Sequence, residues 1–392
     1  MKIALVVPGG VDRSGEYRVI PALLALIANL AHHHEVHAFS LFQEPLPSEW
    51  ELAGARIHNI GRGATRSRAI AAILRSHRVR PFDVVHSIWS GACGFIAVSA
   101  GAIVRIPSVV HVAGGELAAI RSIGYGGCLR RRGRLREAIV LRMASQVTAA
   151  SAPIVASIAA AGVQAERVPL GIDLKSWPPR APVQRDRQEC LRLLHVASLN
   201  RVKDQGTLLR AIALLVARGE RLHLDIVGED VLDGEIQRLA ASLGVSSHVA
   251  FHGFLTQREL YPLVASAHLL LMSSMHEAGP IVLLEAAVVG VPTVSTAVGH
   301  IAEWAPTAAV AVPVSDAAAL ADAVRRLADD EPSRLRIARA AFERAVAENA
   351  AVTAQRFERI YEGLVRGGSA TGERQRVHRY GLMKLSRNRP RP

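Results

Sequence analysis

Short apolar runs recur along the chain, each followed by a longer segment whose apolar residues return every three or four positions. In the first half the runs are IALVVPG (3–9), HEVHAFS (34–40), DVVHSIW (83–89), SVVHVAG (108–114), QVTAAS (146–151) and RVPLG (167–171). They are nearly continuous rather than alternating, as in strands covered on both faces. Helical patterns such as YRVIPALLALIANLAHH (17–33) and LREAIVLRMA (135–144) fall between them. This alternation predicts βαβ units and a parallel sheet.

The rhythm breaks at PLGIDLKSWPPRAPVQRDRQE (169–189), where three prolines and several charges fall within 177–189 and mark a linker. It then restarts. LRLLHVASL (191–199), LHLDIVG (222–228), VAFHGFL (249–255), HLLLMSS (268–274), VPTVSTA (291–297) and AAVAVP (308–313) read as strands. Helices such as DQGTLLRAIALLVARG (204–219), DGEIQRLAASLG (233–244) and TQRELYPLVASA (256–267) separate them. The fold class is therefore α/β: two doubly wound domains, 1–175 and 191–348, joined by a linker at 176–190 and facing a cleft. An amphipathic segment at 349–366, with Phe357, Ile360, Tyr361 and Leu364 on one face, reads as a closing helix that packs back on the body. Residues 367–392 are polar and arginine-rich and read as a basic, flexible tail.

A length of 392 residues suits two domains, and a composition half hydrophobic excludes a largely disordered protein. Cys93, Cys128 and Cys190 are far apart, without metal-ligand spacing, which suits a reducing cytoplasm and predicts no metal site. No signal peptide is visible, since Lys2 leads straight into a strand. The weakly charged stretch 83–105 has the length of a membrane span. Its VVHSIW, SGACG and FIAVSAGAIV read better as strand, turn and helix.

The formal charge of +13 is concentrated. Residues 121–142 hold seven arginines against one glutamate, and residues 366–392 hold seven arginines and a lysine against one glutamate. Such runs serve nucleic acid, anionic lipid or an acidic substrate. Aromatics are only 4% of the chain, and no reading helix is evident, so nucleic acid is not the expected partner.

Candidate chemistry gathers in MHEAGPIVLLEA (275–286). Glu277 precedes a Gly279-Pro280 break at a strand's carboxyl end, and Glu285 lies inside an apolar helix, where a carboxylate is costly without a partner. Pro280 suits the first helical position. The free amides of Ile281 and Val282 then face an anion, phosphate above all. The two carboxylates can reach past that phosphate toward vicinal hydroxyls, of a sugar on one side and a ribose on the other. Gly9 and Gly10 follow the first strand and let backbone approach a ligand closely.

The stretch SSMHEAGPIVLLEAAVVGVPTVSTAVGHIAEW (273–304) resembles the E-x7-E signature of retaining glycosyltransferases of family 4, through Pro292, Gly299 and Glu303. VPLGIDLKSW (168–177) resembles that family's hinge wording, ASLNRVKDQGTLLRA (197–211) its donor-domain loop, and VAFHGFLTQRELYPLVASAHLLLMSS (249–274) the stretch before its signature. The resemblance implies the GT-B architecture of two Rossmann-like domains. It also implies transfer of a sugar from a nucleoside diphosphate sugar, UDP- or GDP-type, to an acceptor hydroxyl with retention and without a metal or other cofactor. The acceptor is expected to be a glycan, a lipid-linked sugar or a small molecule, and an anionic membrane surface a partner at the cytoplasmic face. The implied catalytic residues are Glu277, Lys203 and Arg201. Arg201 would replace the family arginine whose place Ser198 takes. Glu285, Gly279, Ile281, Val282, Gly253, Gly9 and Gly10 would hold the donor, and His111, Gly114 and Glu116 the acceptor. A non-hydrolysing nucleotide-sugar epimerase and an inactive sugar-nucleotide-binding protein are the alternative readings.

Overall fold

The computed structural model describes the backbone of residues 1–385 and the side chains of residues 1–367. Among these, β1 (Lys2–Val7), β2 (Glu35–Ser40), β3 (Ser48–Leu52), β4 (Ala55–Asn59), β5 (Val84–Ile88), β6 (Ser108–Val112), β7 (Gln146–Ala149) and β8 (Glu166–Arg167) form one sheet. Its order is β3-β4-β2-β1-β5-β6-β7-β8. A second sheet takes β9 (Leu191–Val196), β10 (Leu222–Val227), β11 (Val249–Gly253), β12 (Leu269–Met272), β13 (Thr293–Thr296) and β14 (Val310–Val312) in the order β11-β10-β9-β12-β13-β14. Pairing is parallel except between β3 and β4. That pair is a hairpin across Ala53-Gly54, and the strand pattern above overlooks it. Its strands are short, half-exposed and alternating, unlike the continuous runs of the central strands.

Helices α1 (Pro21–Ala31), α2 (Thr65–Val79), α3 (Gly91–Val104), α4 (Arg131–Met143) and α5 (Ala152–Ala160) belong to the first sheet. The second carries α6 (Gln205–Ala217), α7 (Glu235–Ser242), α8 (Gln257–Ser266), α9 (Ile281–Val288), α10 (His300–Trp304), α11 (Ala317–Asp329) and α12 (Glu331–Ala347). The expected turn SGACG is instead the first turn of α3. Ser90 and Gly91 start that helix because the buried Glu137 accepts from the Ser90 hydroxyl at 2.6 Å and the Gly91 amide at 3.1 Å. No helix among the described residues is long and apolar enough to cross a membrane.

The last helix, α13 (Ala350–Leu385), returns to the first domain. Phe357 and Tyr361 are fully buried in its core, and the Tyr361 hydroxyl lies 2.6 Å from Nδ1 of His86. Thr353 fixes the crossing by accepting from the Gly171 amide at 3.0 Å and donating to the Pro169 carbonyl at 2.8 Å. The side chains of the basic tail beyond Gly367 lie outside the described residues.

In both sheets the strand order reverses beside the first strand of the domain, between β1 and β5 and between β9 and β12. Loops leaving adjacent strands in opposite directions open a crevice there, which is where ligands bind in such sheets. Lys203 follows β9 and Glu277 follows β12, so the two arise on the two lips of one crevice.

Candidate active site

The loop after β12 is fixed to the loop after β9 before any side chain is considered. The Met275 amide donates to the Val202 carbonyl at 2.8 Å, and the Ser273 hydroxyl to the Lys203 carbonyl at 2.8 Å. The Thr296 hydroxyl holds the Ser274 carbonyl at 2.6 Å from β13. Lys203 is set by Asn200, whose carbonyl and side-chain oxygen receive its amide, and by Asp204, the N-cap of α6.

On this frame Nζ of Lys203 lies 2.5 Å from Oε1 of Glu277, and the Ser274 hydroxyl donates to the same oxygen at 2.7 Å. Both contacts fall on Oε1 and leave Oε2 without a hydrogen bond among the described residues. Glu277 is supported from below by Gly299, whose φ of +51° suits glycine and whose Cβ position would stand 2.9 Å from the Glu277 carbonyl.

Pro280 is the N-cap of α9 rather than its first helical residue. The amides of Ile281 and Val282 are thus the first of the helix, without intrahelical acceptors, and Pro280 takes no donor away from that set. Gly279 packs on His300 and Ala150, with room for no side chain. Glu285 is buried at 4% exposure and accepts from Nε2 of Gln257 at 3.0 Å. Burial pushes its carboxyl up to about 7, against the pull of the Gln257 bond. It lines a cavity of about 650 Å³ between α1, the linker and α8, shared with Glu16, Lys175 and Trp177.

The first domain faces this site through the loop after β6. Oε2 of Glu116 accepts from the Gly114 amide at 2.7 Å and Oε1 from the Ser90 amide at 3.0 Å, so Glu116 shapes the loop. Burial raises its carboxyl above the ordinary value. Tyr125 from the same loop stands 5.9 Å, ring to ring, from His276, and Nε2 of His276 is 3.4 Å from the Gly114 carbonyl. Burial, then the Glu277 and Glu116 carboxylates, push the Tyr125 hydroxyl up.

Other expected residues are placed elsewhere. Arg201 turns outward to Glu235, 3.2 Å away, and is 61% exposed. The loop twists there to bring Lys203 inward, so Arg201, two residues earlier, points to solvent. His111 lies wholly inside the core between the Thr148 hydroxyl at 2.9 Å and the edge of Phe357, and burial drives it down to about 3. It packs rather than facing the cleft. Gly10 has a φ of +80° and would press a Cβ on Ile20, and its amide is taken by Oε1 of Gln43 at 2.8 Å. Gly253 ends β11 in an exposed turn, next to Phe254, whose ring is 6.0 Å from Tyr17 across the cleft mouth.

Glu303 joins the domains. It pairs with Arg167 of the first domain and with Arg344 at 2.7 Å, and accepts from the Ala152 amide at 2.8 Å. Tyr125, His276, Gln257 and Arg167 belong to the site although no motif of the sequence marks them as candidates. Only Gln257 had a local signal, since the T-x-x-E capping box at Thr256–Glu259 places it at a helix start. No group of three or more metal-ligating side chains occurs among the described residues.

Residues 19–171 match the family described as "Glycosyl transferase 4-like domain" and residues 183–344 that described as "Glycosyl transferases group 1". D-inositol 3-phosphate glycosyltransferase of Pseudarthrobacter chlorophenolicus is 26% identical over 369 residues, 86% of this chain and 87% of that one. EpsF of Bacillus subtilis (strain 168) is 32% identical over 143 residues, 34% of this chain, and EpsD of the same strain 29% over 135 residues. Here the chain spans only about a third of its relatives, 36% of EpsF and 35% of EpsD. The sucrose-phosphate synthase structure from Thermosynechococcus elongatus superposes with a TM-score of 0.78 at 19% identity, over 94% of this chain and all of that one. Two family matches that meet at the linker and a shared two-domain fold make the chain a member of the family 4 glycosyltransferases of GT-B architecture.

Proposed function

We propose that this protein transfers a sugar from a nucleoside diphosphate sugar, of UDP or GDP type, to an acceptor hydroxyl with retention at the anomeric carbon. The observation that carries the reading is the Lys203–Glu277 pair at 2.5 Å, held on the lips of the second-domain crevice. The leaving group is an anionic diphosphate, and the chief task is to stabilise its charge as the glycosidic bond opens. The Lys203 ammonium and the amides of Ile281 and Val282 meet that charge, so the reaction calls for no metal. Oε2 of Glu277 receives sugar hydroxyls and Glu285 the ribose. No nucleophile is assigned; the acceptor attacks from the leaving-group face, and the departing phosphate takes its proton.

The acceptor enters from the first domain, along the loop bearing Gly114, Glu116 and Tyr125. That loop runs on into α4, which carries an exposed stripe of Leu135, Ile139 and Met143 among Arg131, Arg132 and Arg142. This face suits an anionic membrane and a lipid-linked acceptor.

A panel of UDP- and GDP-sugars with and without acceptors tests the reading. Nucleoside diphosphate release that depends on an acceptor supports transfer. Interconversion of epimeric nucleotide sugars supports an epimerase, and binding without turnover an inactive carrier; either result overturns the proposal.

A further inference from the structure

Trp177 lies in the segment that leaves the first domain, in a turn where its amide donates to the Asp173 carbonyl at 2.9 Å. It is 1% exposed and packs on Tyr261 of α8, whose hydroxyl reaches back to the Pro178 carbonyl at 3.3 Å. Its indole N–H donates to Oε1 of Gln257, and Nε2 of Gln257 donates to Oε1 of Glu285 at 3.0 Å. The chemistry of this chain leaves one arrangement. An indole N–H can only donate, so the amide oxygen of Gln257 must face it. The amide NH2 is thereby turned on Glu285, and a carboxylate is what it can donate to.

We infer that Trp177 and Gln257 are positioning residues that lock Glu285 in orientation for the donor, tying the donor pocket to the segment between the domains. This rests on the reading of Glu285 as a donor-binding group. The lock matters because Glu285 is 4% exposed and Gln257 is its one side-chain hydrogen-bond partner among the described residues. The Gln257 bond also favours the charged carboxylate against burial. Glu16, Asp173, Lys175 and Arg258 are the other charged groups lining this cavity. The side chain of Asp173 is committed to the amides of Lys175 and Ser176.

The test is calorimetric titration of UDP and GDP into the full chain, as wild type, Gln257→Met, Trp177→Phe, the double variant and Glu285→Ala, with thermal unfolding alongside. Gln257→Met keeps the volume and removes the donor, and should weaken binding about tenfold. Trp177→Phe keeps the packing but frees the amide to flip, and should weaken binding about threefold. The double variant should bind no worse than Gln257→Met, since Trp177 acts only through Gln257. Raising the pH from 7 to 8.5 should recover part of the Gln257→Met loss, because a carboxyl without its donor ionises later. Additive losses, or wild-type binding in both single variants while Glu285→Ala binds weakly, would overturn the relay and leave the reading of Glu285 intact. Undiminished binding by Glu285→Ala would remove that reading and the relay with it.

Discussion

Lys203 and Glu277 face each other at 2.5 Å although 74 residues separate them, because β9 and β12 are neighbours at the point where the sheet order reverses. Neither residue is needed to hold the fold: both rest on loops already pinned by backbone and serine hydrogen bonds. Lys203→Ala and Glu277→Ala should each lower transfer by about 100-fold or more, the scale of removing one charge-stabilising group. Thermal unfolding should barely move. Near-normal turnover in either variant would refute the site.

Arg201 should behave differently. Its guanidinium is on the surface with Glu235, and exposed pairs contribute little to stability. Arg201→Ala should therefore keep transfer within about threefold of wild type, the change for one distant charge rather than a lost phosphate contact. A loss as large as that of Lys203→Ala would show that Arg201 swings inward when donor binds.

Glu285 should cost the protein stability at neutral and higher pH. Its folded carboxyl titrates at about 7 against an ordinary 4.5, raised by burial. A carboxyl held protonated by the fold is favourable below its unfolded pKa, and that advantage is lost as pH rises through the folded value. At about 1.4 kcal/mol per pKa unit the burden at pH 8 is on the order of 3 kcal/mol. Glu285→Gln should then be more stable than wild type at pH 8 by up to that amount, with the gain fading toward pH 4.5. The same variant should bind donor more weakly. Denaturant melts at both pH values check the sign.

The junction at Glu303 carries the opposite sign. Burial pushes its carboxyl up, but Arg167 and the Ala152 amide more than offset this and leave it below the ordinary value. The stability it contributes is present above the ordinary carboxylate range and is lost as pH falls through the folded value. Arg167 also pairs with Glu348 at 2.8 Å, so Arg167→Ala leaves Arg344 on Glu303 but strips Glu348 of its arginine, and the loss should be about 3 kcal/mol. Acid unfolding of the variant should begin at the same pH with a smaller slope. An unchanged acid limb would mean the pair is idle.

The fold was legible because its central strands are covered on both faces and so read as unbroken apolar runs. The β3–β4 hairpin was not, since it lies at a sheet edge and follows the other pattern, alternation around a glycine turn. That Glu277 and Lys203 follow strand ends and that Glu285 lies inside a helix could be read because those features are local in sequence. Arg201 misled for a related reason: spacing along a loop says which residues are near, not which way each points. The arginine partner of Glu303 comes from 136 residues away and leaves no local trace, while the capping box marks Gln257 as a helix start but not as the partner of Glu285, 28 residues on. His111 shows the limit from the other side, as a strand-end histidine that α13 covers with Phe357.

Leu135, Ile139 and Met143 follow one another at four-residue intervals and are 64%, 40% and 50% exposed, so one helical stripe shows three large apolar side chains to solvent. The opposite side is anchored by Glu137, Val140 and Leu141, which fixes the stripe outward. Arg131 and Arg132 have no carboxylate partner among the described residues, and Arg142 reaches only carbonyls, so the flanking charge is unneutralised. An arginine-flanked apolar stripe fits the boundary of an anionic bilayer, where long side chains extend to headgroups while apolar ones enter the acyl region. Leu135→Ser/Ile139→Ser/Met143→Ser should lower binding to phosphatidylserine-containing vesicles by about 100-fold or more, given roughly 1 kcal/mol or more per buried side chain. Replacing Arg131 and Arg132 by Gln should cost about 1 kcal/mol each and abolish much of the salt dependence. Transfer to a soluble acceptor should survive both sets, since neither touches the cleft. Vesicle binding that ignores the serine variants but falls with salt would reduce α4 to a general basic patch, and equal binding to neutral vesicles would remove the anionic surface from the proposal.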